Sequence, residues 1–194
     1  MLGQRWIHDL NSLNRRGWTL MREFARVDIK QAALQFGVSK RLIHRIARLP
    51  PPAIQVLARV PVAQFVPADR DLLLRFLEDP SFVAPSIGSR ELAAEEREFN
   101  LHYWHTLRAQ ADSDLVQASV QFNVHRRLLP LIRDASIDQL EDLILSLRPE
   151  FRVVDVQNIE VIAMLIEAEA SEQEVQHLLF CSTTANSFDL ERWS

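Results

Sequence analysis

Six residues of this chain lie together in a pattern suited to binding an anion: Ser39, Lys40, Arg41, His44, Arg45 and Arg48. Helical spacing puts the five basic side chains on the outward face of one short helix, KRLIHRIARL, whose Leu42, Ile43, Ile46 and Leu49 point inward. Such a face suits phosphate oxygens, and arginine can also read guanine edges in a major groove. A weaker set, His125, Arg126 and Arg127, occupies the corresponding place further along and is expected to be a secondary DNA contact. Enzyme chemistry has less to stand on. His102 and His105 sit three apart without a third ligand of metal-site spacing, and are expected to be packing or surface histidines. Glu95, Glu96 and Glu98 read as the solvated face of a helix, and Cys181 beside Phe180 as a small buried apolar residue. No catalytic set, cofactor or metal is expected.

The elements that position the basic face follow from the residues before it. Trp18, Met21, Phe24 and Ala25 recur at spacings of three and four, one face of a helix. Asp28 is suited to cap a second helix, with Ala32, Ala33 and Phe36 on its buried side. Gly37 tolerates the left-handed backbone of a tight turn, and Ser39 caps the basic helix. Small Ala33, then Gly37, then apolar Val38, Ile43 and Ile46 form a helix-turn-helix pattern.

The segment occurs twice. Shifting the sequence by 86 residues aligns Trp18 with Trp104, Asp28 with Asp114, Phe36 with Phe122, Val38 with Val124, Leu42 with Leu128, Ile46 with Ile132 and Phe65 with Phe151, without a gap. The expected fold class is therefore all-α, two tandem repeats of a small helical unit containing a helix-turn-helix-like segment. Residues 1–80 form the first, basic unit, 81–91 a linker with Ser89 capping the next helix, and 92–180 the second, acidic unit. Residues 181–194 form a polar tail, either disordered or a short docking helix. In the second copy Asn123 replaces Gly37, and Pro130 replaces His44 and is expected to shorten or kink the helix. Phe65 and Phe151 mark short extended segments, and the closing helices DRDLLLRFLED and VQNIEVIAMLIEAEA are apolar enough to pack on the core or on another subunit.

Composition sets the broad class. The chain has 194 residues, 47% hydrophobic and 25% charged, a globular balance. Residues 1–80 hold 13 Lys+Arg against 7 Asp+Glu, and residues 81–194 hold 9 against 19, so a net charge of −4 conceals a basic first half and an acidic second. A single cysteine excludes an internal disulfide framework and fits a reducing, cytoplasmic setting. No apolar run approaches the ~20 residues of a membrane helix, and no signal segment is expected at the N-terminus.

Residues 28–65 resemble the flagellar transcriptional activator FlhD through Asp28, Phe36, Gly37, Val38, Leu42, Ile46, Leu49, Ile54, Leu57, Ala58 and Phe65. The second copy carries the likeness through Asp114, Phe122, Asn123, Val124, Leu128, Ile132, Ile137, Leu140, Leu143 and Phe151, with Phe151, Arg152 and Val153 similar to the family's Phe-Arg-Phe ending. Members of that family are single units that dimerise and join a zinc-binding partner, FlhC, at promoters. FlhD-like and FlhC-like pairs also act on conjugative elements. The resemblance implies a DNA-binding activator subunit, here duplicated like a dimer made covalent, with promoter DNA and a FlhC-like subunit or other regulator as partners. Homo-oligomerisation is left open and no membrane partner is expected. The alternative is a protein-interaction module or anti-activator that mimics such a subunit without touching DNA.

Overall fold

The computed structural model describes residues 2–79, 81–83, 92–168 and 171–187. Among them are eleven helices and two three-residue strands, so the chain is mostly helical with one small sheet. It divides into two compact units, of which only the second is continuous in sequence. The first joins residues 1–65 to 152–194, and the second is residues 66–151. The sequence and the packing thus divide the chain at different places. Ser89, most of the 81–91 segment and residues 188–194 of the expected tail lie outside the described residues.

In the first unit the long helix α1 (Leu2–Val27) packs on α2 (Ile29–Phe36), α3 (Lys40–Arg48) and α4 (Pro51–Ala58). Its buried face is longer than Trp18, Met21 and Ala25, because Leu10, Leu13 and Asn14 are buried as well. Asp28 caps α2 by accepting from the amides of Lys30 and Gln31. At the other end Gly37 takes φ 65°, its N–H donating to the Leu34 carbonyl at 3.3 Å while the Val38 N–H donates to Ala33 at 3.0 Å. This left-handed closure turns the chain into α3, which Ser39 caps by accepting from the amide of Leu42. Pro51 and Pro52 open α4, where a missing N–H costs nothing.

The same unit is completed from the far end of the chain. Helix α10 (Val156–Glu167) packs on α3 and α4, and α11 (Glu172–Ser187) packs on α4 and α10. Helix α11 therefore runs through the first seven residues of the expected tail, 181–187. The second unit receives the converse: α5 (Arg70–Glu78) packs on α8 (Leu128–Asp134) and α9 (Ile137–Leu147), which with α7 (Leu115–Phe122) pack on α6 (Ala94–Ser113). Each closing helix lies in the unit built mainly from the other half of the sequence. The chain passes between units within the two strands, β1 (Phe65–Pro67) and β2 (Phe151–Val153), which pair. Val154 N–H donates to Gln64 O at 3.0 Å and Ala68 N–H to Glu150 O at 2.8 Å, an antiparallel register.

The two cores settle their buried polar groups differently. In the first, Asn14 Nδ2 donates to the Val62 carbonyl at 2.8 Å, Asn14 Oδ1 accepts from the Gln64 amide at 2.8 Å, and Trp18 Nε1 donates to Gln64 Oε1 at 2.7 Å. This network ties α1 to the chain entering β1, and in a low-dielectric interior each of its members is costly to leave unpaired. Gly17 lets the Phe65 ring lie directly against α1, 4.8 Å from the Trp18 ring centroid. In the second unit Tyr103 is buried, and the Phe151 ring lies 4.7 Å from the Tyr103 ring and 6.3 Å from that of Trp104. Burial pushes the Tyr103 hydroxyl far above its usual value.

Candidate nucleic-acid interface

Helix α3 presents Lys40, Arg41, His44 and Arg48 exposed, while Leu42, Ile43 and Ile46 are fully buried. Positions 40, 44 and 48 follow one another by four, and 41, 44 and 48 by three and four, so these side chains share one outer face. Lys40, Arg41 and Arg48 make no ion pair with the described residues, which leaves three full positive charges facing solvent.

The other two members of the expected set are engaged within the first unit. Arg45 pairs with Glu167, and its side chain is only 19% exposed. The Ser39 hydroxyl donates to Glu160 while its oxygen caps α3. Both acids belong to α10. Nothing near α3 in the sequence announces this, because the partners stand more than 120 residues away.

Arg152 is likewise not announced by residues 39–48. On β2 the neighbours Phe151 and Val153 are buried and Arg152 is exposed, as strand alternation requires. Its stem runs across the α2–α3 turn: a β-carbon built on Gly37 would stand 3.3 Å from both Cγ and Cδ of Arg152. A cation from the second half of the sequence therefore lies against the turn that leads into the basic helix.

The secondary set is arranged differently. Helix α8 begins at Leu128, so His125, Arg126 and Arg127 precede it rather than standing on it. Pro130 accounts for this: it has no N–H for the Arg126 carbonyl and its ring would clash there, so the helix cannot begin at residue 126. The expected shortening is therefore seen, with seven residues in α8 against nine in α3. His125 Nδ1 accepts from the Arg127 amide at 3.2 Å. Burial, then the charges of Arg70 and Arg127, hold the His125 imidazole below its usual pKa. Arg127 reaches Glu78 at 3.5 Å, and Arg133 is held by Asp134 at 2.7 Å. Arg126 is exposed.

Two other positions, Glu96 and Cys181, differ from the sequence reading. Glu95 and Glu98 are exposed, but Glu96 is 8% exposed, because α6 is buried along much of its circumference. Cys181 is exposed rather than buried, with its Sγ 3.7 Å from His177 Nε2 one turn earlier on α11. Among the described residues no group of three or more His, Cys, Asp or Glu could hold a metal ion, and no helix is long and apolar enough to cross a membrane. No protein-family model, curated protein or solved structure matches this chain.

Proposed function

We propose that this chain is a DNA-binding transcription regulator, a subunit that lays α3 against promoter DNA and acts with a partner of the FlhC type. The observation that carries this reading is the exposed row Lys40, Arg41, His44 and Arg48, on a helix entered through a capped, glycine-closed turn. The chain is read as a duplication of one small helical unit with a helix-turn-helix-like segment. In support, a long helix, an Asp-capped eight-residue helix, a left-handed turn, two further helices, a three-residue strand and a closing helix occur twice in that order. A FlhD-like arrangement accounts for the part of that order from the Asp-capped helix to the short strand.

Three or four phosphate contacts give a salt slope of roughly −3 to −4, too few for tight binding at physiological ionic strength. The chain alone is therefore expected to bind weakly, and a more basic partner to supply the rest. The test is fluorescence anisotropy of a labelled duplex of about 25 base pairs, from roughly 50 to 200 mM salt. Binding at low salt that weakens steeply with salt, and is lost in the Lys40→Ala, Arg41→Ala double variant, is the expected result. The variant avoids Arg45, because removing that charge would also leave Glu167 unpaired. No binding at low salt, or equal binding by the variant, would refute DNA contact through α3.

A second reading, an interaction module or anti-activator, draws on the second unit. There Arg127 and Arg133 are paired with acids, and Val116 and Val120 on α7 are 61% and 37% exposed, one turn apart. A chain that removes an activator from its promoter, without binding DNA itself, would match that reading.

A further inference from the structure

We infer that Arg152 is a phosphate-contacting residue of the same face, so that the anion-binding surface is assembled from both halves of the sequence. The inference rests on the reading of α3 as the DNA-facing helix. Three observations carry it. Arg152 stands on the exposed side of β2, between buried Phe151 and Val153, so its side chain is directed outward. Its Cβ, Cγ and Cδ lie 3.7, 3.3 and 3.3 Å from the position of a β-carbon on Gly37, two residues before the Ser39 cap. The stem thus lies along the turn, and contact with it on one side lowers the entropy lost when the guanidinium meets an anion. Arg152 also makes no ion pair with the described residues, in contrast to Arg45 on the α10 side of α3.

Gly37 has a part in this arrangement. Besides supplying φ 65°, it has no β-carbon to push the Arg152 stem off the turn. The corresponding positions in the second unit are Asn123 and Val66, which offer neither the bare turn nor the charge. Two features therefore coincide in the first unit, the free basic face of α3 and an arginine seated at its entrance. A phosphodiester backbone crossing the start of α3 would meet Lys40, Arg41 and Arg152 together.

The test uses the full chain and the same labelled duplex, comparing wild type with Arg152→Gln, Arg152→Lys and Arg41→Ala. One phosphate contact contributes about −0.9 to the salt slope, so its loss reduces the fall in affinity between ~50 and ~200 mM salt by roughly 3.5-fold. Arg152→Gln, which keeps most of the stem, is expected to weaken binding at low salt and to flatten the slope by about one contact. Arg152→Lys is expected to retain the slope, and the thermal midpoint to stay unchanged in both. An unchanged slope in Arg152→Gln alongside a flatter one in Arg41→Ala overturns the inference and leaves the α3 reading standing. Equal weakening in Gln and Lys with a lowered midpoint also overturns it, since the side chain would then be structural. Wild type that fails to bind at low salt removes both.

Discussion

Replacing Gly17 by alanine sets two opposing terms against each other. In the middle of a 26-residue helix the exchange should stabilise by about 1 kcal/mol through helix propensity. The new β-carbon, however, would stand 2.4 Å from Cε2, 2.5 Å from Cδ2 and 2.9 Å from Cζ of Phe65. Carbon atoms pack at about 3.5–4.0 Å, so the ring must retreat by roughly 1 Å. It has little room to do so, being 1% exposed, with the Trp18 ring centroid at 4.8 Å and that of Phe36 at 6.1 Å. Overpacking of this kind costs about 1–3 kcal/mol, and expelling the ring would forfeit a comparable burial energy. The net expectation is a loss of up to about 2 kcal/mol, or as much as several degrees in melting temperature for a unit of this size. Chemical denaturation followed by circular dichroism and tryptophan fluorescence measures it. The cost should shrink when Gly17→Ala is made in a Phe65→Leu background, since the clash is with the ring. A stabilised Gly17→Ala, or the same cost in both backgrounds, would refute the argument. The second unit shows the alternative solution, with Tyr103 at the corresponding position and Phe151 packed against its ring instead.

Two further outcomes follow from the turns. Asn123 holds φ 50° at the end of α7, so Asn123→Gly is expected to stabilise the second unit by a few tenths of a kcal/mol, measured by urea unfolding; a clear loss would mean that the asparagine side chain is needed there. His125 is held below its usual pKa and accepts from the Arg127 amide through Nδ1, so the unfolded chain takes up its proton more readily than the folded one. Its contribution to stability is therefore present above the ordinary histidine value of about 6.5 and is lost as pH falls below it. His125→Gln should flatten that part of the stability–pH profile, and an unchanged profile would show that other groups set it.

What the sequence determined by itself is local. Asp28 and Ser39 cap helices in the structure because a side-chain oxygen two or three residues from an open amide needs no distant partner. Gly37 and Asn123 take left-handed backbone for the same local reason, and the apolar spacing marked the buried faces of α2 and α3. Periodicity states that a face must be covered, but not by what. Tertiary structure alone decided that α10 covers α3 and that α5 covers α8, each from the other half of the chain. That exchange redistributes the charge: the first unit holds 13 Lys+Arg against 11 Asp+Glu and the second 9 against 15, a milder contrast than the sequence halves imply. It also brings Glu160 and Glu167 onto Ser39 and Arg45, and seats Arg152 on the Gly37 turn. These partners stand more than a hundred residues apart, and their meeting depends on which apolar faces fit together, a property of side-chain shapes in three dimensions that linear spacing does not encode.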